Sequence, residues 1–540
     1  MDPKRIVRCA SLAAAVCLVS GCASIGPSAR GTWVSLRSEH FDLVSDTGEP
    51  DARIALRELE TLFAAEVKLF FPGRGMRTRV QVVLLGSDAD LKQILGESSG
   101  VTSRSVFGDP LIVAGISGLP HGRSGQDAQG VLAHELAHVL SGTVIGHKPL
   151  WLAEGLAGYA QTLHLDAAGR AVGGEAPQYL LATLGKTVPL RYAAQLQRGL
   201  ETAQLPIPER MLFYASSWAL VHWLIDERPV EFSDYVTRLA RAEDPTTALR
   251  AALPGLEPAD FDREVRDWLW RDQSLVLRVP IPPWDGAIAA RPLLPAEVEA
   301  TRAQLFLLSA ALGDRKGQAR ARAASSAALG LDEGQPVAVR ITSWLEHLLP
   351  ERQVALGRRA VALHGDDARA HSVLASALAS AKAPVGEVVA AAHRALDLEP
   401  DRPATLNTLA WAYATHGLSA EAVPTARKAV ALAPANSHYL DTLAVALVGN
   451  GQCAEAAEME RRAIGFFPEI AASPHAAGAS GPDVIGRARI GEFRARLANM
   501  ERGCTVPLEF SGEERDSGNG APGQREQPVR PPLQPRTTAQ

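Results

Sequence analysis

Aromatic side chains are scarce in this chain: Phe, Trp and Tyr make up 5% of 540 residues, and methionine occurs five times. Cores built on large rings are correspondingly few. The 46% hydrophobic content, much of it alanine, instead favours helices packed through small residues. A charge excess of either sign is missing as well. Lys and Arg total 55 against 60 Asp and Glu, a net charge of -5, so the balance does not point to a nucleic-acid partner. Cysteine is almost absent from the body of the chain, since Cys9, Cys17 and Cys22 lie at its start and only Cys453 and Cys504 fall elsewhere. A small disulfide-stapled module is thereby excluded, and the length allows two or three domains, each with its own core.

The start reads as a leader. Lys4, Arg5 and Arg8 precede an apolar stretch from Cys9 to Val19, too short to span a bilayer permanently, and small residues follow. Residues 1–21 are therefore expected to be a signal peptide. Leu18-Val19-Ser20-Gly21-Cys22 resembles the lipobox of bacterial lipoproteins. That resemblance implies lipidation of Cys22, a membrane partner through the lipid anchor, and a place in the cell envelope. With Ala23 after the cysteine, it implies the outer membrane, facing the periplasm. An ordinary secretory signal cut nearby is the alternative.

After an anchor and linker over 22–30, residues 31–285 read as an α+β domain. Strand candidates are Trp33 to Leu36, His40 to Val44, Arg79 to Leu85 and Leu111 to Ala114, with helices over 51–70 and Asp88 to Leu95. From Gln126 the pattern is almost wholly helical to Trp270. The Pro-rich run from Val279 to Trp284 then suggests a boundary before a second half starting near Arg291.

That half repeats itself. Pro400, Pro434 and Pro468 share one spacing of 34 residues, and Ala395, Ala429 and Ala463 keep the same interval. Leu406, Leu409, Ala410, Tyr413, Ala422, Ala426 and Ala429 ahead of Pro434 resemble the tetratricopeptide repeat. Small residues let paired helices approach closely, and Pro ends the second helix. The unit that follows departs from the pattern by carrying Glu460 at a position usually small or aromatic. The resulting division is 291–365 divergent helical hairpins, 366–470 tetratricopeptide repeats, 471–510 a capping region and 511–540 a disordered tail rich in Gly, Pro and charge. Cys453 and Cys504 could pair between the last repeat and the cap, in an oxidising compartment.

The sharpest local signal is His134-Glu-Leu-Ala-His138 in a helical run. Four residues are about one turn, so both imidazoles share a face and can hold one zinc ion, with Glu135 beside it as a proton acceptor. A second helix, Trp151-Leu-Ala-Glu154-Gly155-Leu-Ala-Gly-Tyr159, follows Pro149. These two segments together resemble the gluzincin, or peptidase-MA-like, zinc proteases. The resemblance implies His134, His138 and Glu154 as ligands of a Zn2+ cofactor and Glu135 as the catalytic base. It also implies a fold of an α+β zincin-like metallopeptidase domain followed by an all-α tetratricopeptide-repeat solenoid. His147 is the rival third ligand. Val144 stands at the third-ligand position of the metzincin pattern and Ser141 at its Gly, so that pattern does not fit.

Phe213-Tyr214-Ala-Ser-Ser-Trp218 looks like the helix that follows the catalytic pair in the same proteases, and makes Tyr214 the candidate oxyanion donor. A core role for Tyr214 fits the aromatic spacing equally well. Tyr159 is the weaker substitute. Leu111 to Gly115 is either an edge strand to which a peptide substrate adds, or an ordinary core strand. The expected function is a lipid-anchored periplasmic zinc metallopeptidase whose repeats recruit a protein substrate or partner. The alternative is a non-enzymatic repeat scaffold carrying a degenerate metallopeptidase module.

Overall fold

The structure, a computed structural model, describes residues 32–70, 79–96, 100–105, 107–115, 128–145, 148–166, 168–184, 196, 206–271, 276–466 and 482–504. The leader with Cys22, the linker, the 511–540 tail and His147 lie outside these residues. Among the described residues no helix is long and apolar enough to cross a membrane.

The first half is organised by one sheet. Strands β1 (Val34–Arg37), β2 (Phe41–Ser45), β3 (Val80–Leu85), β4 (Gly100–Arg104), β5 (Pro110–Gly115) and β9 (Ala289–Pro292) stand in the order β4-β5-β3-β2-β1-β9. β2, β3 and β5 are parallel, and β4 runs antiparallel to β5 at one margin. Parallel strands need a crossover. Helix α1 (Glu49–Phe70) supplies the one between β2 and β3, burying Ala52, Ala55, Leu56, Leu59 and Phe63 at helical spacing against the sheet. Acidic residues in its first turn and Lys68 in its last suit the helix dipole. Helix α2 (Asp88–Leu95) is capped by the Ser87 hydroxyl, which accepts from the Asp90 amide.

Below the β4 margin lie α3 (Ala128–Val144) and α4 (Leu150–Ala160), followed by α5 (Gln178–Leu184) and the long α6 (Ile207–Glu227). The almost wholly helical run expected to Trp270 is interrupted by β6 (His164–Leu165) and β7 (Arg170–Gly173), which form a small sheet with β8 (Leu277–Pro280). Its turn is short and polar: the Asp166 carboxylate accepts from the amides of Ala168 and Arg170. Helices α7 (Pro229–Ala240), α8 (Pro245–Ala252) and α9 (Pro258–Leu269) complete this half.

One expectation requires correction here. The boundary between 285 and 291 does not separate two bodies, because β9 pairs antiparallel with β1 and Leu305 and Leu308 share a core with Trp33, Leu91 and Val113. Proline in this stretch marks edge strands, which lack a donor obligation on one side, and not a linker. Of the two readings of Leu111 to Gly115, the ordinary core strand is the one observed. It is flanked by β3 and β4, so the edge belongs to β4, whose Gly, Thr and Ser content concealed it from a hydrophobic pattern.

From residue 295 five helical hairpins follow: α10 (Pro295–Ala311) with α11 (Gly317–Leu331), α12 (Pro336–Leu345) with α13 (Pro350–Leu363), α14 (Ala368–Ser380) with α15 (Val385–Leu398), α16 (Pro403–Thr415) with α17 (Ser419–Leu432), and α18 (Ser437–Gly449) with α19 (Cys453–Gly465). The division at 366 is therefore one of sequence, not of architecture. Pro at the first turn opens α10, α12, α13 and α16, while Asp367 and Asn436 side chains cap α14 and α18. Alanines at the helix seams, among them Ala410, Ala426, Ala429 and Ala444, are fully buried.

Helix α20 (Pro482–Glu501) closes the array, and Cys453 and Cys504 are joined by a disulfide with Cα atoms 6.0 Å apart. The departure at Glu460 now has a physical reason: its fully buried carboxylate lies 3.5 Å from the Arg496 guanidinium of α20, which also pairs with Asp441 at 2.8 Å. Burial, with Asp441 beside it, pushes Glu460 up to about 9. Arg496→Ala should cost about 3–5 kcal/mol in chemical denaturation, because the buried Asp441 carboxylate loses its counter-charge and Glu460 its hydrogen-bond partner. The folded Glu460 value exceeds the unfolded one of 4.5, so its contribution to stability is full below 4.5 and is lost as pH rises toward about 9. Glu460→Gln should flatten that decline in a pH series of denaturation curves.

Candidate metal centre

The i, i+4 spacing on α3 brings the Nε2 atoms of His134 and His138 to 3.2 Å of each other. Glu154 reaches them from α4, its Oε2 3.5 Å from His134 and 3.7 Å from His138. What lets α4 hold that position is visible one residue along. Gly155 faces α6 so closely that a Cβ there would meet the Val221 side chain at 2.4 Å and the Ser217 carbonyl at 2.5 Å. Glu154 and Gly155, about 100° apart around the helix, thus serve two different neighbours.

The three donor atoms all lie within 4.8 Å of one another, and all three side chains are part-buried. Ligands about 2.0–2.1 Å from a tetrahedral zinc ion stand roughly 3.3–3.4 Å apart, so the observed separations fit such an ion. Two imidazoles and one carboxylate are also a chemically suitable set, with one position left over.

Electrostatics favour the metal-binding form of two of the three ligands. Burial drives His138 down to about 3, against the pull of Glu154, so its imidazole is neutral at ordinary pH. Burial alone would raise Glu154, but the two histidines and Lys148 outweigh it and hold the carboxylate below its usual value. Burial opposes protonation of His134, yet its hydrogen bond to Glu154 and the charge of Glu135 leave it raised.

Glu135 lies between the two histidines in sequence and is 6% exposed. Burial raises its pKa. The Thr102 hydroxyl stands 2.8 Å from its carboxylate and 2.9 Å from its backbone carbonyl, sharing one proton between them. Thr102 belongs to β4, which approaches α3 because Gly100 has no side chain. A Cβ there would meet Glu135 at 2.8 Å and Val131 at 2.9 Å.

Sequence reasoning missed Thr102, and also Lys148, whose ammonium lies 3.5 Å from the His138 carbonyl and is lowered to about 8 by burial. It missed Gln161 too, at the end of α4, whose side chain hydrogen-bonds His134. Such partners orient a ligating imidazole. None has a spacing signature, because each arrives from a different element.

Tyr214 sits on α6 as a half-buried residue against the first-half core, its ring 6.1 Å from that of Phe213. Tyr159 is a core residue instead. Its ring lies edge-on to Phe70 and His222, its hydroxyl is buried, and burial raises its pKa.

Full-chain protein should take up about one zinc per chain by metal analysis, and His138→Ala or Glu154→Ala should each remove most of it. Zinc should also raise the melting temperature of the wild type and not of these variants, since an ion that binds only the folded state stabilises it by mass action.

No protein-family model and no curated protein matches the chain. Solved structures do match it in part. A crystal structure of MamA covers 28% of this chain and 93% of its own at 20% identity with a TM-score of 0.24. The crystal structure of TTC0263, a thermophilic TPR protein of Thermus thermophilus, covers 36% of this chain and 99% of its own at 18% identity with a TM-score of 0.29. That of YrrB, described as a TPR protein with an unusual peptide-binding site, covers 32% and 90% at 16% identity with a TM-score of 0.24.

Proposed function

We propose that this chain is a zinc-dependent metallopeptidase, with His134, His138 and Glu154 as the protein ligands and Glu135 as the general base. The observation that carries the reading is the convergence of these three donors from two helices around a space of zinc dimensions, with a buried carboxylate beside it. Zinc, when bound, would supply a Lewis acid that polarises a peptide carbonyl and makes water nucleophilic near neutral pH.

The chain's own residues do the rest. Glu135 accepts a proton at its carboxylate as water attacks, and returns it to the leaving amine nitrogen. Thr102 fixes the rotamer of that carboxylate, and its raised pKa suits a group that must both take and give a proton. Tyr214 is retained in the proposal as the oxyanion donor. Lipidation at Cys22 would place the enzyme on the periplasmic side of the outer membrane, among envelope proteins as substrates.

A second reading is favoured by the five-hairpin array itself, which offers an extended helical surface for a protein partner. In that reading the chain is a scaffold and its metal centre is structural. The two differ at one residue, because a scaffold has no chemical need for Glu135.

Glu135→Gln should keep its zinc while losing about 10²–10⁴-fold in kcat for peptide hydrolysis, measured across a broad peptide library with parallel metal analysis. Zinc uptake by the wild type without hydrolysis of any library member would move the assignment to the scaffold. So would an unchanged envelope phenotype in a Glu135→Gln strain whose phenotype is abolished by deleting 291–510.

A further inference from the structure

A cavity of about 610 Å3 lies against the candidate metal centre, and its walls come from both halves of the chain. One wall is β4, through Thr102 and Ser103, and the floor is α3, where His138 itself reaches the cavity surface. The opposite wall is the hairpin array: Leu307 and Ala311 of α10, and Ile341 and Trp344 of α12. Volumes of this order suit a small-ligand or peptide site.

The array is held in place by the connection between β4 and β5. Phe107 is buried there against Val339, Ala370 and Val373 of the hairpins. Arg402 lies over its ring at 5.7 Å and pairs with Asp109 at 3.2 Å. Arg37 adds an ion pair to Glu399 at 3.3 Å. The face of α12, α14 and α16 turned toward the sheet is thus partly filled by the chain's own loop, and what is left of it opens on the cavity.

β4 pairs with β5 on one side only, and among the described residues no strand occupies its other side. Its five residues present roughly 17 Å of backbone edge. An extended peptide laid there points alternate side chains away from the sheet, toward the helices of the array. The apolar side chains of the partly buried Leu307 and Trp344 then meet whatever residue flanks the bond nearest His138.

We infer that the hairpin array is the specificity wall of the substrate site: it receives a bulky apolar side chain, of the Phe or Leu class, next to the cleaved bond of an extended polypeptide. This rests on the peptidase reading and changes the role of the repeats within it. They select the residue at the cut; they do not recruit from a distance.

The test uses the full chain with zinc, in the Glu135→Gln form, and a fluorescein-labelled extended peptide with Phe-Leu at its centre beside its Ala-Ala counterpart. Fluorescence anisotropy should show the Phe-Leu peptide binding about tenfold more tightly or better. Ala311→Trp is placed at an exposed position, so it occupies cavity space without altering the core. It should abolish the preference, as should Trp344→Ala by removing the wall, while zinc content stays the same. A preference unchanged in both variants would overturn the inference. If chains that keep Glu135 hydrolyse these peptides with that unchanged preference, the peptidase reading stands and only the wall falls. If they hydrolyse neither, but both variants erase the binding preference, the wall stands and the peptidase reading falls.

Discussion

Everything at the candidate metal centre depends on how closely three helices can approach. α3 supplies two imidazoles and α4 the carboxylate, but α4 can present Glu154 to α3 only if its other face lies nearly backbone to backbone on α6. The missing Cβ at Gly155 makes that possible, and any side chain there would displace the helix by more than the tolerance of a coordination bond. A small residue is thus a requirement of the site itself at this one point of the helix interface. Where rings do occur in the first half they fill what small residues leave. Trp151 stacks on Tyr235, and Trp218, His222 and Trp268 form a cluster behind α4 with Trp268 bonded to Asp226.

The same logic governs charge. Several buried ionisable groups are answered by another group: Glu154 by two histidines and Lys148, Asp441 and Glu460 by Arg496, Asp109 and Glu399 by Arg402. Each answer joins two different elements. The first joins two helices across a loop, the second joins the last hairpin to its cap, and the third joins the sheet to the array. Apolar burial would have held these elements together without fixing their register.

Much of this was legible in the residues. The helix carrying His134 and His138, the following helix with Glu154 and the hairpins around Ala410 to Pro434 all have periods that local chemistry enforces. Helices Asp88–Leu95 and Pro482–Glu501 were readable for the same reason. What escaped was whatever depends on tertiary pairing. β4 has no hydrophobic alternation, since it is a strand only because β5 lies beside it and α3 beneath it, so Thr102 could not be seen as a partner of Glu135. Strand β9 was hidden by prolines that resemble a linker until β1 accepts its bonds. Glu460 read as a defect in a repeat because its counter-ion, Arg496, comes from further along the chain, in the cap.

The pairing of β9 with β1 has a consequence for how the chain can be divided by nature or by hand. A β-sheet left with a bare margin is a template for another molecule's strand. Residues 289–292 cover β1, so the segment that introduces the hairpin array also completes this side of the first half's sheet with a short strand that ends in Pro. A first half ending before that strand would expose Val34, Ser35, Leu36 and Arg37 as an unpaired row. That margin of the first half is therefore finished by the opening residues of the other.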